Sequence, residues 1–351
     1  MNPHADTYFH IKILKQVALD WKSTDDDNTV ALQTIKEALK KAIDKRNIFL
    51  EYKNGARLVY GNSDSLPGLI VDMYEKYILI QINTAGLDRF RIEIKNYFSE
   101  IYPSKKSILF DNNEYRKHEV LPTYEPELID SDLEIVENNL KYKIKKEVIQ
   151  KIGYYYDHRE NREKLFNKII KMNIEKESGL DLFSYVGSWG LHLLKADVGH
   201  VDFVDQANME SNIETNLELN GYKGRGHFFR KDVFKHLDEL IANNKTYNIV
   251  VSDPPAFTKS EKNKATAIQG YEKLHSKALK IVRNKGLLVV ASCTHYVDLN
   301  ELDVTVQNAA AKNNVSVQLL DIGLQGHDHP IQSLKDKSFY IKYLLYLVQR
   351  G

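Results

Sequence analysis

The sequence predicts an α/β protein: a mostly parallel open sheet, preceded by a small α+β domain. Three observations carry this. Residues 179–190 read as an apolar run (180–185), a turn bearing Gly187 and Gly190, and the start of a helical pattern at 191–194. Four more apolar runs follow, at 201–205, 228–234, 249–253 and 286–293, with helix-length stretches between them. The third observation is what closes them. Asp205, Asp232 and Asp253 stand at or near the ends of three runs, Asp253 is followed by Pro254-Pro255, and the last run closes on Ser292-Cys293.

In open α/β sheets, ligands bind outside the carboxyl ends of the strands. A strand, a Gly-bearing turn and a helix start let a ligand approach the backbone and offer it free N–H groups. An acid about 20 residues after such a turn suits ribose hydroxyls, and Asp205 has that spacing. A plain βα turn remains the alternative for the glycines, and a strand-end or helix-capping carboxylate for each acid.

Composition sets the bounds. The chain has 351 residues, 42% hydrophobic and 28% charged, as expected of a globular protein of about two domains. No run approaches the ~18 apolar residues of a membrane span. Met1-Asn-Pro-His-Ala-Asp6 lacks a basic start followed by an apolar stretch, so no signal peptide is expected and the protein reads as cytoplasmic. A single cysteine excludes an intrachain disulfide. A net charge of +1 gives no global electrostatic case for nucleic acid, so any RNA contact rests on local patches. Lys141-Tyr-Lys-Ile-Lys-Lys146, with Lys151 beyond it, is the clearest; a solvated strand face is the bland reading. His327 with His329, and Cys293 with His295, lack the paired spacing of a zinc site, and no metal is expected.

Residues 1–50 form an N-terminal helical segment, with one helix over 9–21, a polar break at 25–28, and a second helix capped by Thr29. Leu32, Ile35, Leu39 and Ile43 give that second helix one apolar face. Residues 51–146 form the small α+β domain. Strands are expected at 57–60, 69–72, 77–82 and 107–110, a helix at 90–98, and a hairpin from 133–136 and 140–144. Asp64 and Asp72 read as turn and strand-end acids. Residues 147–351 form the large domain, which opens with Gly153-Tyr-Tyr-Tyr-Asp157-His-Arg159-Glu-Asn-Arg162 before an amphipathic helix over 165–172. Aromatic rings there suit a cation or a nucleobase, or pack the helix onto the sheet. A helix over 302–311, a strand over 316–320 and a long final run over 339–348 complete it.

With these motifs in order, the chain resembles the class I S-adenosylmethionine (SAM)-dependent methyltransferases. It is most similar to the family that methylates carbon 5 of cytosine in large-subunit ribosomal RNA. The resemblance covers about residues 38–350. It rests on Arg57-Leu-Val-Tyr-Gly-Asn-Ser-Asp-Ser-Leu-Pro-Gly-Leu-Ile-Val-Asp72, on Gln150-Lys-Ile-Gly-Tyr-Tyr-Tyr-Asp-His-Arg-Glu-Asn-Arg162, and on Phe183-Ser-Tyr-Val-Gly-Ser-Trp-Gly190. Asp253-Pro-Pro-Ala-Phe257, Ser292-Cys-Thr294 and Asp328-His-Pro330 complete it. It implies a Rossmann-like domain with a mostly parallel seven-stranded sheet. Family members usually begin with a PUA domain, in whose place stands the helical segment. Ile152 and Ser188 replace a common threonine and a common glycine.

The resemblance implies the roles at the site. Phe183, Tyr185 and Gly187 would wrap the methionine end of SAM, with Asp205 and Gln206 at the ribose. Asp232 and Val233 would flank the adenine, and Asp253 would border both cofactor and target. Cys293 would add to carbon 6 of the cytosine as the nucleophile, a task that suits a thiolate; a small buried hydrophobe is its alternative role. Asp253 would hold the ring nitrogen and amino group. Lys151, Tyr154, Arg159, Pro254 and Phe257 would contact the RNA, Phe257 by stacking on an extracted base. Tyr154 or Tyr155 is expected to line the cofactor or base pocket, with packing as the alternative for both. Ribosomal RNA is the expected partner and a homodimer is allowed.

Two rival readings stand beside this one. Asp-Pro-Pro-aromatic also occurs in enzymes that methylate exocyclic amino groups, where no thiol is needed. A non-catalytic RNA-binding or assembly factor on the same fold is the second; the full set of Asp205, Asp232, Asp253 and Cys293 argues against it.

Overall fold

The computed structural model describes residues 27–111, 114–125, 127–149, 153–331, 333–334 and 338–350. The helix expected over 9–21, and Gln150, Lys151 and Ile152, lie outside them. The chain divides into two compact units: residues 1–137, 143–156 and 327–332, and residues 138–142, 157–326 and 333–351. The divisions expected at 50/51 and 146/147 are therefore not where the units part.

In the first unit, helix α1 (Asp27–Arg46) starts at Asp27, two residues before the expected Thr29 cap. Ile35, Leu39, Ala42 and Ile43 recur at helical spacing and are buried in one cluster with Val59, Leu69, Val71, Ile78 and Ile80. The helix is thus part of this unit's core and not a segment of its own. Strands β1 (Ala56–Tyr60), β2 (Leu69–Met73), β3 (Tyr77–Ile82) and β4 (Lys106–Leu109) form one sheet in chain order, with helices α2 (Ala85–Asp88) and α3 (Arg91–Ile101) between β3 and β4. Asp64 and Asp72 are structural acids, as read. Arg57 holds Asp72 through two nitrogens at 2.8 and 2.9 Å. Burial pushes the Asp64 carboxyl up, but the Arg46 guanidinium at 2.8 Å and the Tyr60 N–H outweigh it and hold its pKa down. β5 (Leu133–Glu137) and β6 (Leu140–Ile144) make the expected hairpin, turning on Asn138 and Asn139 at φ 50° and 61°, a left-handed pair that asparagine tolerates.

The second unit opens with helix α4 (Arg159–Ile169), six residues earlier than the apolar periodicity indicates. Strands β7 (Ser178–Leu182), β8 (His200–Asp205), β9 (Gly226–Arg230), β10 (Tyr247–Ser252), β11 (Val282–Cys293), β12 (Val315–Leu324) and β13 (Ile341–Arg350) form one sheet in the order β12-β13-β11-β10-β7-β8-β9. β7 to β11 are parallel neighbours along the order, and β13 is antiparallel to both β11 and β12. Helices α5 (Ser188–Lys195), α6 (Glu210–Leu219), α7 (Val233–Ala242), α8 (Lys264–Ile281) and α9 (Leu299–Lys312) make the crossovers. Strands buried on both faces read as continuous apolar runs, and Tyr247–Ser252 is buried throughout. One core joins Leu180, Val250, Leu288 and Leu344 of the sheet to Leu237, Tyr271, Leu279 and Leu302 of the helices. Strand succession reverses between β7 and β10, which makes their carboxyl ends the switch point.

Candidate active site

After β7 the backbone takes an unusual path. Phe183, Tyr185 and Gly187 all lie at positive φ, 62°, 46° and 83°. Two non-glycine residues in the left-handed region store strain, which persists where the surroundings hold it and is common at ligand sites. Three contacts hold it here. The Ser184 N–H donates to the Val204 carbonyl at 3.1 Å and the Gly187 N–H to the Ser184 carbonyl at 2.8 Å. The Tyr185 N–H donates to Asp205 Oδ2 at 2.9 Å. The other oxygen of Asp205 accepts the Ala207 N–H at 2.8 Å, so this acid ties the loop after β7 to the end of β8. Gln206 beside it is exposed.

Asp181 lies inside β7, where the sequence predicts an apolar strand. It is fully buried, and its Oδ2 accepts the Gly190 N–H at 2.8 Å in the first turn of α5. Oδ1 has no partner. Burial lifts its pKa to about 8; the Gly190 N–H and Arg162 oppose this, while the charges of Asp253 and Asp205 add to it. Three carboxyl groups thus interact around the switch point, a surrounding that favours a cation.

Asp253 follows β10. Its Oδ2 accepts the Trp189 indole N–H at 2.8 Å, and its Oδ1 lies 3.5 Å from His158 Nε2. Trp189, at the start of α5, lies parallel to Tyr343 with ring centres 5.9 Å apart, and the His158 ring is 5.3 Å from it. The sequence reading missed both partners. Trp189 stands inside the glycine motif and His158 directly after the Tyr-Tyr-Tyr-Asp run, with no spacing to mark either.

Cys293 ends β11, two strands from β7, half-buried, and its Sγ donates to the Pro254 carbonyl at 3.6 Å. The thiol is therefore on the Asp-Pro-Pro loop and not sealed among hydrocarbon side chains. On the paired strand, Lys342 lies opposite Ser292 and is 1% exposed. Its Nζ donates to the Thr294 carbonyl and, at 3.4 Å, to that of Tyr340. Burial pulls this lysine down to about 8, opposed by the charges of Asp298, Cys293 and Glu301. The sequence gives no sign of this buried lysine, because a lysine in an apolar run reads as an end or an outward residue.

The remaining expected residues are spread more widely. Asp232 caps α7, its Oδ1 accepting the Lys235 N–H at 3.0 Å, so the capping alternative is realised at that oxygen. Val233 beside it is buried. Pro254 is buried, and Phe257 packs on Tyr271, ring centres 4.6 Å apart, and against Gly270. Tyr154 belongs to the first unit, 2% exposed, with its ring 5.1 Å from Tyr156 and its N–H donating to Tyr74 Oη at 2.9 Å; packing is what this ring does. Tyr155 is 37% exposed. Arg159 is buried at the start of α4, against the expectation of an RNA-facing side chain.

The sheet is that of the SAM-dependent methyltransferase fold. Two solved structures share it. One is a candidate SAM-dependent methyltransferase of Streptococcus mutans, with TM-score 0.72 and 19% identity over 93% of this chain and 83% of that one. The other is a candidate methyltransferase complexed with SAH, with TM-score 0.73 and 19% identity over the same shares. Residues 158–304 match the family model described as Conserved hypothetical protein 95. The ribosomal RNA large subunit methyltransferase I of Aliivibrio fischeri is 30% identical over 315 residues, 87% of this chain and 78% of that protein. The chain belongs to the family of the ribosomal RNA large subunit methyltransferases I.

Proposed function

We propose that this protein methylates large-subunit ribosomal RNA with SAM as donor, at carbon 5 of a cytosine, through a covalent adduct to Cys293. The residues present suit the donor. SAM carries a sulfonium and an ammonium; Asp205 and Asp253 bring carboxylates to the switch point, and the buried Asp181 carboxyl near them, with one oxygen left without a partner, adds a polar group. The left-handed backbone at Phe183, Tyr185 and Gly187 brings main chain to the same edge. SAM supplies an electrophilic methyl group when bound.

The half-buried thiol of Cys293 beside Asp253-Pro254 carries the carbon-5 reading. Carbon 5 of cytosine is a weak nucleophile. As Sγ bonds to carbon 6, electron density moves to carbon 5, which would take the methyl group as the methyl–sulfur bond of bound SAM breaks and S-adenosylhomocysteine leaves. A base takes the carbon-5 proton, the carbon 6–Sγ bond breaks to release the thiolate and restore the ring, and the base passes its proton to solvent. Asp253 holds the ring's polar edge during this sequence.

The acceptor geometry of Asp253 favours a second reading, transfer to an exocyclic amine. Cys293 separates the two. Cys293→Ala is expected to abolish carbon-5 methylation, seen by mass mapping of ribosomal RNA treated with SAM and enzyme. Transfer persisting within about tenfold of wild type would assign the amine chemistry instead.

A further inference from the structure

His158 precedes α4 and is 3% exposed. Its Nε2 lies 3.5 Å from Asp253 Oδ1, just beyond a hydrogen bond, and bonds to no other group. The opposite ring nitrogen, Nδ1, lies 3.0 Å from Asn161 Nδ2, in the first turn of the same helix. The orientation of that amide follows from its other neighbour. Asn161 Nδ2 also donates to the Leu324 carbonyl at 2.9 Å, and a carbonyl oxygen only accepts. Turned over, the amide would set its own oxygen against that carbonyl. Gly323 leaves room for it, since a Cβ there would collide with Asn161 Oδ1. An N–H faces Nδ1, so Nδ1 keeps its lone pair and the neutral ring carries its proton on Nε2, toward Asp253. The second oxygen of Asp253 already accepts from Trp189. This carboxylate therefore has a hydrogen bond at Oδ2 and, 3.5 Å from Oδ1, an imidazole nitrogen that Asn161 leaves with the proton.

We propose that Asn161, through the tautomer it imposes on His158, holds Asp253 as a hydrogen-bond acceptor, so that the site takes a target base presenting an amino N–H there and rejects one presenting a carbonyl. Asn161 and His158 are positioning residues; Asp253 makes the contact. This rests on the reading of Asp253 as the acid that meets the target. It selects amino-bearing bases whichever atom receives the methyl group.

A double-variant cycle tests it. His158→Gln keeps an amide N–H near the place of Nε2 and has no tautomer to set, whereas His158→Phe removes the donor. With large-subunit ribosomal RNA and SAM, His158→Phe and Asn161→Leu are each expected to lower kcat by about tenfold or more. SAM affinity, measured by calorimetry, should stay within about twofold. His158→Gln should stay within about threefold of wild type, and Asn161→Leu added to it should cost little more. Equal losses from Asn161→Leu in the wild-type and His158→Gln backgrounds would overturn the proposal. So would nitrogen-15 spectra of the wild-type protein showing the His158 proton on Nδ1, a measurement independent of whether any variant folds. An unchanged rate in Asp253→Asn would instead overturn the reading of the site itself.

Discussion

Asp181 shows how much a single buried carboxyl can set at the residue scale. An isolated charge inside a β-strand is costly, and this one is met by one backbone N–H. With its pKa raised to about 8 against an ordinary 3.8, the folded protein keeps a proton that the unfolded chain releases. Unfolding therefore releases a proton between about pH 4 and pH 8, and this residue's contribution falls as pH rises through that window. Asp181→Asn is expected to remove the slope. The thermal midpoint of the ligand-free variant should gain on that of wild type from pH 5 to pH 9; parallel curves would refute the assignment. Asp205, Asp232, Asp253 and Cys293 were legible in the sequence because strand ends are marked by where apolar runs stop. Asp181, Trp189, His158, Asn161 and Lys342 were not, because their significance lies in partners distant along the chain.

Strand–helix contact, at the element scale, explains why α5 can lie so close to the sheet. A Cβ at Gly190 would collide with the ring of Phe203 on β8, and one at Gly187 would meet it at 3.1 Å. Gly190→Ala is accordingly expected to destabilise the protein by about 1–3 kcal/mol, as overpacking does. Denaturant unfolding would measure this, and Phe203→Leu in the same chain should recover most of the loss. Element existence was well marked: β3 and β6 have the bounds that the alternation predicts, and β10 ends one residue short of Asp253. Helix α4 was placed late because Arg159, Asn161 and Arg162, buried at its start, are polar types that periodicity counts as loop. β12 runs longer than the sequence predicts because its burial does not alternate regularly and a register shift falls between Leu319 and Asp321.

Residues 327–332, far along in the chain, belong at the scale of the molecule to the first compact unit. Within it Asp328 Oδ2 accepts the Arg57 N–H at 2.9 Å, Oδ1 lies 2.7 Å from His329 Nδ1, and its carbonyl accepts from Arg46 at 2.7 Å. Asp328→Ala would leave buried donors without an acceptor and is expected to cost about 2–3 kcal/mol, seen as a lower calorimetric midpoint; no change would mean the loop is not needed for this unit's stability. The basic run at 141–146 answers to a different measurement. Lys143 pairs with Glu134 at 3.3 Å, and the test reverses Lys141, Lys145 and Lys146. Reversal to glutamate is expected to weaken ribosomal RNA binding and reduce the slope of log affinity against log salt by about 0.7–0.9 per lost phosphate contact. An unchanged slope would place the RNA elsewhere.

Apolar runs, their periods and the residues that interrupt them are local properties, and they were enough to specify an α/β chain, most of its strands and the acids and thiol at their carboxyl ends. Order within the sheet, the return of Asp328 to the first unit, the burial of Tyr154 and Arg159, and the donors gathered on Asp253 depend on long-range packing. Which side chains share a buried space is set by how strands pair and helices cross over them, and contacts between residues such as Asn161 and Leu324 leave no periodic trace along the chain.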